Sequence, residues 1–260
     1  GVTRAIQRLE DEIGARLLER SARGVELTAA GEAFLPWARR MVVALRRGRD
    51  DVARAGGTGT RRVVVGVSPT SSLLTASLST AELEVEVRPL ATGPQPAALE
   101  GGACDLAISV GVAASPGLRR IPLGEECYEG LVARTHPFAE RREVPFAEWM
   151  REPQILLAAH LEPTLRASIE ARARTHGVSE VRVEREVDDM LQLFHAVSFG
   201  VGVGAASRSW TAFRHEGVAT VELQPSARLE TFAMVVEDRH GPDVDGVVAM
   251  ARRELRGASA

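Results

Sequence analysis

The sequence predicts an α/β chain carrying a basic, largely helical front segment, and three observations carry the prediction. From about residue 61, short apolar runs alternate with stretches of helical spacing, the pattern of strands and helices layered in one sheet-based domain. Before that point, an amphipathic helix, a short basic turn and a longer helix follow one another over some 55 residues. Charge divides at the same place: residues 1–62 hold 13 Arg against 8 Asp and Glu, net +5, whereas the remainder hold 19 against 27, net −8. Positive charge facing a polyanion is thereby concentrated at the front.

The first helix is set by Ile6, Leu9, Ile13 and Leu17, whose spacing builds one buried stripe. Thr3, Arg4, Gln7 and Arg8 fall on the face left over. Arginine and glutamine match the hydrogen-bonding edges of guanine and adenine, and a helix start is where a recognition helix meets bases. Arg20, Ser21 and Arg23, in the Ser-Ala-Arg-Gly turn, are placed to meet phosphate. Thr28 then supplies an N-cap for a helix predicted to run to about Ala55, stopped by Gly56-Gly57-Thr58-Gly59. Along it Phe34, Ala38, Met41, Leu45, Gly48 and Val52 alternate four and three apart, with Arg39, Arg40, Arg46, Arg47 and Arg49 mostly off that line. Such a seam predicts pairing with a second copy rather than packing on its own domain. Pro36 removes one backbone donor and should kink the helix.

Strands are predicted at Arg62–Val67, Leu83–Val87 and Leu106–Val110, and helices at Pro96–Glu100, Thr164–His176, Met190–Phe199 and Val244–Leu255. Their alternation predicts parallel pairing. At 260 residues and 45% apolar, the chain is long enough for one or two sizeable cores. All 32 basic residues are Arg, a bias that reflects a GC-rich coding sequence before it reflects chemistry.

Other function classes find little support. No apolar run approaches the ~18 residues that span a bilayer, and no secretory leader is visible, so a cytoplasmic protein without membrane contact is expected. Cys104 and Cys127 lack metal-ligand spacing and are expected as buried thiols. None of His136, His160, His176, His195, His215 and His240 stands at a zinc or nucleophile spacing. Asp188-Asp189 suits the cap of the following helix better than a paired acid and base. Gly200, Gly202 and Gly204 miss the dinucleotide spacing. No metal, cofactor or catalytic constellation is expected, which leaves an enzyme or a free solute-binding module on the same scaffold as the alternatives.

Val2-Thr3-Arg4-Ala5-Ile6-Gln7-Arg8-Leu9-Glu10, Glu12-Ile13-Gly14, Leu17-Leu18-Glu19-Arg20-Ser21 and Leu27-Thr28-Ala29-Ala30-Gly31-Glu32 together resemble the LysR-type transcriptional regulators. Gly101–Ile108, Thr135–Ala139 and Val197–Gly204 resemble the effector-binding domain of the same family, which is itself similar to two-lobed periplasmic binding proteins. The resemblance covers essentially the whole chain. It implies a partial, all-α winged helix-turn-helix over 1–27, a linker and dimerisation helix with hinge over 28–60, and an effector-binding domain over 61–260. Lobe I would take 61–133 and 228–260, and lobe II 134–227. Because the sequence opens inside the recognition helix, the family's two preceding helices are expected upstream of a truncated record. Operator DNA, a small-molecule effector and a second or fourth copy of the chain are the implied partners.

In open α/β sheets, ligands sit beyond the carboxyl ends of strands, where free N–H groups favour anions. Ser68, Pro69, Thr70 and Ser71 occupy such a place after the first strand, and Thr92 and Gly93 the matching place after the second. From lobe II, Gly204, Ala205 and Ala206 are expected to follow a glycine-rich strand, with Ser207 where the family has proline. This polar corner without a fixed cation fits a small organic acid, with Thr70 and Thr92 each donating one hydrogen bond.

Overall fold

The computed structural model describes residues 1–21, 24–55, 61–75, 78–80, 83–111, 117–213, 215–237 and 241–258. The chain divides into two compact units, Gly1–Gly59 with Glu100–Ala103, and Thr60–Leu99 with Cys104–Ala260.

In the first unit, α1 (Val2–Ile13) ends where Gly14 takes φ 75° and returns its N–H to the Glu10 carbonyl. The helix therefore stops a turn earlier than the apolar spacing predicts. Leu17 is buried beyond that turn, not on α1, and the Glu10 carboxylate accepts from the Leu17 and Leu18 amides at 2.7 and 3.0 Å. Strands β1 (Leu18–Ser21) and β2 (Gly24–Leu27) pair antiparallel, Arg20 opposite Val25 and Ser21 opposite Gly24. Arg20 and Ser21 thus end a strand instead of lying in the turn, and Arg23 lies outside the described residues, as do the glycines expected to stop the next helix. That helix, α2 (Ala29–Ala55), is capped by Thr28, whose hydroxyl accepts from the Gly31 amide at 3.0 Å and donates to the Arg16 carbonyl at 2.6 Å. A Cβ on Gly31 would stand 2.0 Å from the Leu17 carbonyl oxygen, so only glycine fits where the two segments cross.

The second unit runs β3 (Arg61–Val67), β4 (Leu83–Pro89), α3 (Gln95–Glu100), β5 (Leu106–Val110) and the long β6 (Leu118–Ala133). It continues through β7 (Glu143–Pro145), α4 (Phe146–Trp149), β8 (Gln154–Leu157), α5 (Pro163–Thr175), β9 (Val183–Val187) and α6 (Met190–Ser198). It closes with β10 (Gly204–Ser207), α7 (Arg208–Thr211), β11 (Val218–Gln224), β12 (Ala227–Val236) and α8 (Pro242–Ala258). An eight-stranded sheet has the order β4-β3-β5-β12-β6-β11-β7, with β10 also on β6, and β8–β9 form a separate parallel pair.

The parallel pairing read from the sequence is realised in β4-β3-β5, in β8–β9 and in β11–β7; the β5–β12, β12–β6, β6–β10 and β6–β11 pairs are antiparallel. The difference comes from β6. Its residues 118–128 pair with β12, while 128–133 pair with β10 and β11, so one strand serves both lobes. Residues 128–133, which the sequence reading places in lobe I, accordingly have Tyr128, Leu131 and Val132 in the lobe II cores.

In the middle of the lobe I sheet both faces are buried, which is why β5 and the Val63–Val67 part of β3 read as apolar runs, whereas the edge strand β4 alternates. Val65, Ile108 and Ala233 pack with Val247, Ala251 and Leu255 of α8 on one face; Val64, Ala107, Phe232 and Met234 pack with Leu99 of α3 on the other. In lobe II, Met190, Leu193, Phe194 and Val197 of α6 pack on Leu131, Ile155 and Ala206. The glycine-rich segment before Gly204, expected as a strand, is the connection from α6, with a single bridge from Val203 to Gln154; the strand is β10 itself, Gly204–Ser207.

Candidate functional site

Strand β3 ends at Val67, and the chain turns at once through Ser68, Thr70 and Ser71, which are all buried. Ser68 Oγ lies 2.7 Å from Thr70 Oγ1 and donates to Glu162 Oε1 at 3.0 Å. After β4, the Thr92 hydroxyl donates to Glu162 Oε2 at 2.9 Å and the Thr92 amide to Oε1 at 3.4 Å. Thr164 donates to Thr92 Oγ1 at 3.2 Å and to the Val110 carbonyl at 2.8 Å. The structure thus brings Ser68, Thr70 and Thr92 together, and a carboxylate of this chain sits among them. Glu162, 2% exposed and next to the first residue of α5, was not picked out from the sequence. Burial is the dominant influence on it and, against the opposing hydrogen bonds from Thr92 and Ser68, pushes its carboxyl up to about 7.

Gly93 explains how the Glu162 segment comes so close. Its amide donates to the Leu161 carbonyl at 2.8 Å, and a Cβ there would stand 2.2 Å from the His160 carbonyl oxygen. The remaining residues of the first turn face elsewhere. Ser71 donates to Glu126 at 2.6 Å, a buried carboxylate that also accepts from the Ser72 amide and Thr231. The Pro69 carbonyl accepts from the Trp210 indole at 2.7 Å, and the Thr70 carbonyl from the Tyr128 hydroxyl at 3.0 Å. Burial, ahead of Glu126 and Glu162, holds the Tyr128 phenol well above its ordinary value.

Beside Glu162 a largely apolar cavity is lined by Thr70, Tyr128, Trp149, Leu165, Ala205 and Ala206, among others. The structure thus brings Thr70, Ala205 and Ala206 to one cavity, whereas Gly204 packs under Leu193 and Val197, whose side chains a Cβ would meet at 2.9 and 3.2 Å. The corner needs lobe I hydroxyls and a lobe II carboxylate at one point, a convergence no spacing in the sequence encodes.

In the first unit, Thr3, Arg4, Gln7 and Arg8 of α1 are all exposed, and no α1 residue is buried; Ile6 and Leu9 are half-buried. On α2, Phe34 and Ala38 are half-buried, while Met41, Leu45 and Val52 are exposed at 53, 65 and 73%, with Trp37 and Val42 exposed too. Asp189 caps α6 by accepting from the Gln192 amide at 2.8 Å, and His136 caps the turn at Pro137–Glu140. Cys104 is buried in the lobe I core, and Cys127 is half-buried. Among the described residues, no group of three or more His, Cys, Asp or Glu is placed to hold a metal. No helix among them is long and apolar enough to cross a membrane.

An exposed first helix bearing Arg4 and Arg8, a hairpin after it, a long second helix and a two-lobed α/β domain with a polar corner at its strand ends have the architecture of a regulator with a DNA-reading head and a ligand-sensing domain. Residues 1–32 match the bacterial regulatory helix-turn-helix protein, lysR family, and residues 54–256 match the LysR substrate binding domain. The chain belongs to the LysR family of transcriptional regulators. It is 31% identical over 266 residues to the HTH-type transcriptional regulator TfdS of Cupriavidus pinatubonensis (strain JMP 134 / LMG 1197), covering 97% of this chain and 88% of that protein. With the uncharacterized HTH-type transcriptional regulator YnfL of Escherichia coli (strain K12) it shares 28% over 219 residues, 80% of this chain and 73% of the other. Among solved structures, the LysR family transcriptional regulator CbnR shares the fold with a TM-score of 0.76 and 22% identity, over 98% of this chain and 89% of that one. Full-length CbnR complexed with its target DNA matches at 0.75, 22% identity, 97% and 88%.

Proposed function

We propose that this regulator binds double-stranded operator DNA as a homodimer or homotetramer and responds to a small organic acid held at the Ser68–Thr92 corner. The arginine-rich front and the exposed row Thr3, Arg4, Gln7 and Arg8 support the DNA reading, with Arg20, Ser21 and Arg23 as phosphate contacts. Phe34, Ala38, Met41, Leu45 and Val52 supply the dimer seam, and 1–27, 28–60 and 61–260 are the limits of head, linker and effector domain. Of the residues expected at the effector surface, Ser68, Thr70, Thr92, Ala205 and Ala206 form it and Pro69 and Gly93 shape its turns, whereas Ser71 and Gly204 are engaged elsewhere; the protein acts in the cytoplasm.

One observation carries the ligand class: Ser68 and Thr92 converge three donors on a carboxylate, the group an acid effector presents. The apolar cavity lined by Ala205 and Ala206 then takes the body of the acid. Calorimetry with an acid found by thermal-shift screening tests this. Thr92→Ala should weaken binding about tenfold or more, the worth of one donor to a charged group. Unchanged affinity in Thr92→Ala would place the effector elsewhere.

A further inference from the structure

We infer that the Glu162 carboxylate is a built-in competitor for the effector's carboxylate, filling the hydroxyl corner until an outside acid displaces it. This rests on the effector reading above and adds what the corner does before ligand arrives.

The corner's donors are committed. Ser68 Oγ, Thr92 Oγ1 and the Thr92 amide all point at Glu162, at 3.0, 2.9 and 3.4 Å. Two carboxylates cannot share those donors, because the second would find no free hydrogen and would face a like charge in a poorly solvated site. An incoming acid must therefore evict Glu162 or bind without the corner. Glu162 also stands at the N-cap position of α5 yet makes no side-chain bond to its own helix, reaching from lobe II to lobe I hydroxyls instead. The close approach of Gly93 to residues 160 and 161 lets it reach.

Eviction has a physical source. Desolvation works against the charged form of Glu162, which lifts its carboxyl to about 7, so moving that group toward water relieves a cost that an acid with an apolar body offsets by filling the cavity. Tyr128 is held above its ordinary value partly by Glu162, and Glu126 lies behind Ser71. Arg166 and Arg172 line the adjoining cavity, but Arg166 pairs with Glu186 and Arg172 donates to the Pro225 and Ser226 carbonyls, so the hydrogen bonds that reach Glu162 come from Ser68 and Thr92. Displacement also frees lobe II from its hydrogen bonds to Ser68 and Thr92, coupling occupancy of the corner to the relation between lobes.

The test uses the full chain and propionate, with propionamide and sodium chloride as controls. Glu162→Ala vacates the corner, so propionate should raise its thermal midpoint saturably at concentrations that leave wild type unmoved, and propionamide should not. Glu162→Gln, which keeps the shape but removes the charge, should bind propionate about tenfold more tightly than wild type and serves if the alanine variant does not fold. Propionate responses no greater in either variant than in wild type would overturn the competitor role. A response in Glu162→Ala that survives addition of Thr92→Ala would show instead that the acid binds away from the corner, and the effector reading itself would fall.

Discussion

At the scale of single residues, Glu162 ties ligand chemistry to pH. Its carboxyl sits at about 7 in the folded chain against the ordinary 4.5, so between those values the native state holds the extra proton and stability falls as pH rises. The contribution is full below about 4.5 and lost as pH climbs through about 7. Denaturant titrations from pH 4 to 8 should therefore show a decline in wild type that Glu162→Gln flattens; parallel profiles would mean that the group does not titrate in this range. The two threonines should also separate. Thr70 Oγ1 bonds Ser68 and not Glu162, so Thr70→Ala should weaken acid binding less than Thr92→Ala, although the two look equivalent in the sequence. Gly93→Ala puts a Cβ 2.2 Å from the His160 carbonyl oxygen and should force the 92–93 turn away from Glu162, raising protease sensitivity near residue 160 and weakening acid binding as Thr92 moves with it.

At the scale of elements, α2 presents Met41, Leu45 and Val52 to the outside along one heptad line. Replacing Met41 and Leu45 together by Glu buries like charges across a twofold axis if that line is the seam, and sedimentation should show a shift to monomer. An unchanged mass would assign the dimer to another surface. α1 is the other element with an open face: Arg4→Ala should weaken all DNA binding and flatten its salt dependence, while Gln7→Ala should relax preference at one base pair. Gel shifts over a salt series on matched and mismatched sites separate these outcomes. Helix identity was legible here because caps and stops are local: Thr28 caps α2 and Asp189 caps α6 as their side chains dictate. Leu17 misled because its spacing continues the stripe of α1, yet Gly14 takes a left-handed conformation that ends the helix first.

At the scale of the whole molecule, two activities occupy separate units of one chain, and the charge division between residues 1–62 and the rest follows the same line. DNA affinity should therefore fall steeply with salt while acid binding changes little, because phosphate contacts release counterions and a single buried carboxylate does not. Parallel salt series by gel shift and calorimetry check this; equal slopes would mean that the acid is held by surface charge and not by the corner. Mixed sheet topology matters at this scale too, because β6 gives its first part to β12 and its last to β10 and β11, so one strand spans both lobes.

The sequence by itself determined the family, the first helix with its exposed Arg4 and Arg8, the long helix capped by Thr28, and the strand ends that Ser68 and Thr92 follow, since each depends on residues within a few turns of one another. Tertiary structure alone decided three things. It set the antiparallel half of the sheet, because strand direction is fixed by which distant edge is free to pair. It turned Ser71 toward Glu126 and away from the corner, because one step of chain direction after β3 faces a different neighbour. And it placed Glu162 on hydroxyls 94 and 70 residues away, a contact made by two lobes meeting and by a glycine that lets their backbones touch.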